Sequence, residues 1–430
     1  MKCSHSLSDG RLEFVFEIEE PDRKNIESLN YSMTGEVIYF ELPEEITEIH
    51  PDILGLATIL LCNPFVGERL SLPMPVSRNF FDEVSGVISR YKIVENVDDA
   101  MLPIQKGDSL RPGLAFSGGA DSSAALAIMP ATTVPIFLNR PMGKGSKYDS
   151  GAPIKICNLL SESGYEVHII DSNLEFIREP VGFPTDLANS IPGILMSEYL
   201  GLDSIGFGTV LESGYGIGHE KYVDYGRGSH WAFFGTVFKS AGLDLCLPTL
   251  GISEVGTAII GKTSPIAKIG QSCIRGSWGR PCKKCWKCFR KELLSFALEE
   301  DQSTHPDFRK MLEISEVQIR LSAFPISHEN VVAYSLQRID LSEFQSLRPI
   351  SAKLDMRRDL SFLSKWYPKS IDFVPDKYRN RIRSKILDFL EPTSFEEEEE
   401  IEAWNMNPHL ASTRAIRSQD RLISYWQDIS

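Results

Sequence analysis

The stretch Gly113-Leu114-Ala115-Phe116-Ser117-Gly118-Gly119-Ala120-Asp121-Ser122-Ser123 constrains the fold more than any other part of the chain. A short apolar run ends in a Ser-Gly-Gly turn, and a helical segment rich in Ala and Leu starts straight after it. Two consecutive glycines let the backbone approach a ligand closely and turn its N–H groups toward one point, and the following helix N-terminus adds positive partial charge. Ser117, Ser122 and Ser123 can add hydroxyl donors, and Asp121 can hold a magnesium ion that bridges phosphate oxygens. The segment therefore reads as an anion cradle at the end of a buried strand. Its plainer reading is a loop followed by a helix cap.

Around this segment, short apolar runs bounded by Gly and Pro alternate with helical stretches. Leu114–Phe116, Val134–Leu138, Val167–Ile170, Ile205–Gly208 and Leu243–Leu247 are five candidate strands. Such alternation predicts an α/β fold, a doubly wound parallel sheet with ligands at the carboxyl ends of its strands. The first hundred residues differ, with alternating runs at 12–18 and 37–42 and helical stretches near 52–62 and 79–91. Beyond residue 300 amphipathic spacing takes over, as in Tyr378, Ile382, Ile386 and Phe389. The expected organisation is an N-terminal α+β domain over 1–105, a central nucleotide-binding domain over 106–300 and a helical region over 301–430.

Composition narrows the class. With 42% apolar and 24% charged residues among 430, the chain is that of a globular protein rather than a disordered one. Its longest apolar stretches, such as Ile53–Cys62, are too short to span a bilayer, and its start lacks a signal-peptide core, so a cytoplasmic location and no membrane partner are expected. The formal charge of −14 opposes wholesale binding to nucleic acid and leaves room only for a local basic patch such as Lys353–Lys385. The acidic run Glu396–Glu400 reads as a solvated stretch, and His230–Phe234 as a half-buried helix.

Two other motifs carry chemistry. Gly256-Thr257-Ala258-Ile259-Ile260-Gly261-Lys262-Thr263 spells a Walker A loop, but it lacks the strand immediately before it and the long helix after it that such a loop needs. Lys262 is better placed as a cation reaching the phosphates from another loop, with Lys144 and Lys147 as further candidates for the same clamp. Cys273, Cys282, Cys285 and Cys288 are the stronger signal. Cys282-x-x-Cys285 and Cys285-x-x-Cys288 share a residue, so the backbone curls to aim three sulfurs inward, and Cys273 can complete a tetrahedron around Zn²⁺. An iron–sulfur cluster is the rival, although its motif usually places the fourth cysteine downstream. Arg280, Lys283, Lys284, Lys287, Arg290 and Lys291 surround the thiols and are expected to favour their deprotonation.

The Ser117–Ser123 loop resembles the Ser-Gly-Gly-x-Asp-Ser loop of the PP-loop superfamily, the N-type ATP pyrophosphatases. Together with Ser272-Cys273 and Cys282-x-x-Cys285-x-x-Cys288 it resembles the 7-cyano-7-deazaguanine synthase (QueC) family over roughly residues 110 to 300. Glu212-Ser213-Gly214-Tyr215, Leu247-Pro248, Glu254 and Arg290 also fit that pattern. The chain departs from it at Gly216-Ile217-Gly218-His219, where the family reads Pro-Asp-Cys-Arg, and around Pro184–Asn189, where the family's Arg-Asn is absent. The long extensions on both sides are similar to extended QueC-like proteins of bacterial antiphage systems, including ones that join a deazaguanine carboxylate to a protein amine.

The resemblance implies a ligase that uses ATP to adenylate a small carboxylate, 7-carboxy-7-deazaguanine or a relative, and passes the acyl group to an amine. Ser117, Gly118, Gly119, Asp121, Ser122 and Ser123 would hold ATP and Mg²⁺, with Asp121, Ser117 and Lys262 acting in catalysis and Glu212, Ser213 and Tyr215 meeting the substrate. The extensions are expected to hold an amine-bearing partner protein, or otherwise to bury sheet edges and support a homodimer. Three alternatives stand beside this reading: an ammonia-using nitrile synthase, a tRNA-modifying enzyme of the same superfamily, and a nucleotide-binding regulatory module without turnover.

Overall fold

The structure, a computed structural model, describes residues 1–104, 110–141, 143, 148–299 and 305–429. At its start, Lys2–Ser8 (β1), Arg11–Glu17 (β2) and Val37–Glu41 (β3) form an antiparallel sheet in the order β1-β2-β3. Asp9 and Gly10 both take positive φ, 50° and 76°, so that Ser8 pairs with Arg11 across a two-residue hairpin. Leu12, Phe14 and Phe16 alternate inward while Glu13, Val15 and Glu17 face out. The apolar helix Pro51–Cys62, buried along almost its whole length, belongs to the same core.

The central sheet contains Arg111–Ala115 (β4), Val134–Asn139 (β5), His168–Asp171 (β6), Leu202–Gly206 (β7) and Asp244–Cys246 (β8). All its pairings are parallel, in the order β6-β5-β4-β7-β8. From β4 the chain steps outward to β5 and β6, then returns to place β7 on the other side of β4. Each of the five apolar runs picked out above falls on one of these strands.

Two apolar layers cover the sheet. Leu114, Phe116 and Phe137 pack with Ala124, Ile156, Ile260 and Ile382, residues of the helices Ala120–Ile128, Gly151–Glu162, Glu254–Thr263 and Asp376–Leu387. Ala115, Ile136 and Ile205 join a second cluster that includes Ile191, Ile194, Phe238 and the β1–β3 residues, and reaches Trp426. This second cluster runs without a break through all three stretches expected to be separate domains. The ends therefore share a core with the central sheet and are not merely tethered to it.

Several of these local patterns take a definite form in the structure. The Walker-like octet lies inside the helix Glu254–Thr263, whose N-cap Ser253 accepts N–H bonds from Val255 (3.0 Å) and Gly256 (3.1 Å), so its amides serve the helix and form no loop. The acidic run is also ordered as the helix Phe395–Glu402, with a capping box between Ser394 and Glu397. There Glu397 pairs with Lys365, and Glu402 with Lys369. Those lysines belong to the basic stretch 353–385, in which Lys377 also pairs with Asp203, and Lys353 is buried with its ammonium on the Leu321 and Ala323 carbonyls. Among the described residues, no helix is long and apolar enough to cross a membrane.

Candidate functional site

The Ser117–Ser123 loop leaves the carboxyl end of β4, the strand beside which the sheet order reverses. Gly118 has φ +70°, a conformation that costs a side-chain-bearing residue free energy, and its carbonyl accepts the Gln271 N–H at 2.8 Å. On the opposite side Gly208, just past β7, presses on the start of the helix: a Cβ there would lie 2.7 Å from the Ser122 nitrogen. The loop is thus clamped between the segments after β7 and before the cysteines.

Within the loop the amides are held loosely. The N–H groups of Ser117, Gly119 and Ala120 reach Ser122 Oγ, Ser117 Oγ and Ser272 Oγ, each at 3.3 Å, against about 2.9–3.0 Å for an ordinary bond. Ser117 is exposed, whereas Ser122 and Ser123 are buried, and Ser123 Oγ has no hydrogen-bond partner among the described residues. Weakly occupied amides beside an exposed hydroxyl suit an anion, so the residues present fit a phosphate group.

Asp121 is half-buried and faces inward. Its Oδ1 accepts the Thr257 hydroxyl at 2.7 Å and lies 4.0 Å from Lys291 Nζ. Lys291 continues to Glu254 Oε1 at 2.8 Å, which Arg290 also meets at 2.9 Å. The Glu254 N–H in turn donates to both oxygens of Glu212 (3.2 and 3.1 Å), and Asn330 Nδ2 donates to Glu212 Oε1 at 2.9 Å. His328, a left-handed residue at φ +58°, places Nδ1 3.5 Å from Glu254 Oε2. A continuous polar network therefore runs from Asn330 to the Ser117–Ser123 loop.

Burial sets the electrostatics of this network. It raises the Glu212 pKa to about 7, helped by the nearby Glu254 charge and opposed by the bonds Glu212 accepts. Burial works in the same direction on Glu254, but the charges of Lys291 and Arg290 outweigh it and hold that carboxyl well below the usual range. His328 is lowered to about 4 by burial and by Arg290, so it is neutral near pH 7. Desolvation also lowers Lys287, a residue that lines a recess and is nonetheless exposed as a whole; Asp121 opposes that shift, and Lys291 and Arg290 add to it.

Several residues singled out above lie elsewhere or act differently. Lys262, near the far end of its helix, donates to the Leu298 carbonyl at 2.9 Å and does not turn to the loop. Lys144 and Lys147 lie outside the described residues. Glu212 is fully buried, accepts the Glu254 N–H at the start of the helix Glu254–Thr263, and lies in the wall of the Ser213 cleft. Tyr215 is a core residue, stacked on Tyr222 with centroids 5.9 Å apart and set edge-on against Tyr367. Ser213 is exposed and, with Asp186, Thr209, His219 and His230, lines a cleft of about 660 Å³ that Pro325 also borders. Because Thr209 follows Gly208, this cleft begins where the Ser117–Ser123 loop is clamped.

The four cysteine sulfurs lie within 4.8 Å of one another and can hold a metal ion. Cys282 and Cys288 Sγ are 3.7 Å apart, close to the roughly 3.8 Å edge of a tetrahedron built on Zn–S bonds of about 2.3 Å. Backbone N–H groups of Cys282, Lys284 and Cys288 point at the sulfurs of Cys273, Cys282 and Cys285 (3.3, 3.4 and 3.4 Å). Bonds from Cys288, side chain and backbone, hold the Cys285 thiol well below its ordinary pKa, and Arg275 adds to them. Arg290 and Lys291 are not part of this halo, since both turn to Glu254.

Thr257, His328 and Asn330 were not visible as site residues in the sequence. Thr257 was hidden in the Walker-like spelling. His328 and Asn330 come from the C-terminal region, through the turn after Pro325 and the helix Glu329–Leu336.

A family of unknown function (DUF6395) matches residues 233–405, less than half of the chain. The matched span takes in Glu254, the four cysteines, Lys291 and Asn330, and leaves out the Ser117–Ser123 loop and Glu212. No curated protein and no solved structure matches.

Proposed function

We propose that the protein is an ATP-dependent ligase of the PP-loop type, with a doubly wound sheet, that adenylates a small carboxylate and transfers the acyl group to an amine. The observation that carries this reading is the Ser-Gly-Gly loop at the carboxyl end of β4, at the reversal of strand order, with three loosely held amides and Asp121 behind them. ATP would lie with its phosphates over Ser117–Ser123 and its α-phosphorus toward the Ser213 cleft. A carboxylate oxygen attacks that phosphorus, the bond to the β-phosphate breaks, and pyrophosphate leaves. The amine then attacks the acyl carbon, loses a proton, and AMP departs.

Preorganised donors aimed at the leaving pyrophosphate supply the main stabilisation of such a step. Asp121 would hold Mg²⁺, which when bound neutralises phosphate oxygens. Thr257 and Lys291 fix the Asp121 carboxylate in place. Zn²⁺ is the ion proposed for the Cys₄ knuckle, where four protein ligands leave no open position and the role is structural. The acyl substrate is proposed to be 7-carboxy-7-deazaguanine or a relative and the acceptor a protein amine, since Pro325, His328 and Asn330 bring the C-terminal region to the edge of the cleft.

The test is ATP–pyrophosphate exchange with 7-carboxy-7-deazaguanine as the carboxylate. Exchange by the wild type, lost in folded Asp121→Asn, supports the reading; exchange equal in both sinks the assignment of Asp121. Product analysis with added ammonia decides the acceptor. Efficient nitrile formation replaces the protein-amine reading with the ammonia-using synthase.

A further inference from the structure

We infer that the recess between the amino end of the helix Ala120–Ile128 and the cysteine knuckle holds an oligophosphate chain, with Lys283, Lys287 and Lys291 as its cationic wall. The inference rests on the adenylation reading and adds to it the binding place of the leaving group. The recess measures about 250 Å³, and its lining includes Ala120, Ser272, Lys283, Lys287, Lys291 and Glu292. That is smaller than the roughly 300–1,000 Å³ typical of sites for whole drug-sized ligands, and it suits a phosphate chain better than a complete nucleotide.

All three lysines come from one short stretch. Lys283 stands in the turn between Cys282 and Cys285, at φ +52°. Lys287 and Lys291 lie four apart on the helix Trp286–Ala297, where like charges at that spacing repel. Glu254 pairs with Lys291 from beneath, and Glu292 is the carboxylate on the lining. Lys291 is thus held by carboxylates, Glu254 at 2.8 Å and Asp121 at 4.0 Å, whereas Lys283 and Lys287 have no ion-pair partner among the described residues, and the recess they line lies beside a helix N-terminus whose Ala120 N–H is only loosely bonded. A polyanion entering from the Ser117–Ala120 loop would relieve the repulsion and take up that amide. The knuckle then has a second role, because Lys283 and Lys287 sit between metal ligands and inherit their placement from them.

The experiment is calorimetric titration of the full-length, metal-loaded protein with inorganic pyrophosphate and, separately, with AMP. Lys283 and Lys287 are exposed, so Lys283→Ala and Lys287→Ala are expected to melt as the wild type does. Each is expected to weaken pyrophosphate binding by about tenfold or more, the size of one lost charge-assisted hydrogen bond, and to leave AMP binding unchanged. Lys24→Ala, on a remote exposed helix, should alter neither. Wild-type affinity for pyrophosphate in both lysine variants overturns the inference while leaving the loop assignment standing. Equal losses for AMP and pyrophosphate overturn it too, since the lysines would then act on the whole site. If the wild type binds no pyrophosphate, the adenylation reading itself fails.

Discussion

The Ser117–Ser123 loop and the polar network beneath it solve opposite problems. The side-chain hydrogen bonds within the loop join residues at most five apart and are long, and Ser117 is exposed, although Gly118, Ala120 and Asp121 are also tied to Gln271, Ser272 and Thr257. The network's bonds join residues 36, 42 and 118 apart, and Glu212, Glu254, Arg290 and Asn330 are all buried. A loop whose amides are held this loosely is not itself the source of rigidity. The difference teaches that rigidity is supplied from below, by buried charges whose partners lie in distant segments, while the binding surface is left unsaturated.

The largest expected effect comes from breaking the network at its centre. Glu254→Ala leaves Arg290 and Lys291 without their shared carboxylate, and removing one partner of a buried ion pair costs about 3–5 kcal/mol. Urea denaturation should show the midpoint falling by a corresponding amount. A midpoint within experimental error of the wild type would mean that the charges are solvated and the network does not stiffen the site.

Acidity is the next lever. The folded Glu212 pKa, about 7, exceeds the unfolded value near 4.3, so between these limits the folded state binds more protons than the unfolded one. Its contribution is full below about pH 4.3 and falls away as the pH rises through 7, by an amount on the order of 3 kcal/mol. Glu212→Gln should therefore flatten that part of the stability profile relative to the wild type. Parallel profiles for the two proteins would show that Glu212 titrates as it does in water.

Legibility follows the same division between near and far. The loop, the five strands and the cysteine set could be read because each is a local pattern: a glycine turn, an apolar run, a two-residue spacing. Ser253-Glu254 before an apolar periodic run signals a helix start, and that signal explains why the Walker spelling is helical and why Lys262 faces Leu298. Asn330 carries no comparable mark, since an Asn 118 residues from Glu212 has no spacing to betray the pair. Tyr215 misled for another reason. Its Ser-Gly-Tyr setting matched a substrate motif, while the aromatic partners that make it a core residue come from 222, 225 and 367.

A smaller effect should follow where the two regions touch. Gly208→Ala places a methyl group 2.7–2.8 Å from the Ser122 nitrogen and the Asp121 carbonyl carbon, backbone atoms that cannot swing aside. Overpacking of this kind costs about 1–3 kcal/mol, and here the strain falls on the loop itself. Pyrophosphate exchange should drop along with stability. Stability lost with full exchange would show that the loop need not be clamped to work.

The smallest expected change in stability is the sharpest test of the comparison. Ser117 is exposed, and among the described residues its hydroxyl makes only the 3.3 Å contact to Gly119 N and the 3.1 Å contact to Ser122 Oγ. Exposed substitutions that remove no buried partner usually stay within about 0.5 kcal/mol, so Ser117→Ala should unfold as the wild type does. In the proposed reaction, however, the same hydroxyl is a donor to the departing phosphates, and a lost donor of this kind costs on the order of a hundredfold in rate. Exchange reduced at unchanged stability is the signature of a residue that serves the ligand and not the fold. Full exchange would place the anion site elsewhere and leave the loop as the plain strand-to-helix turn that its spelling also allows.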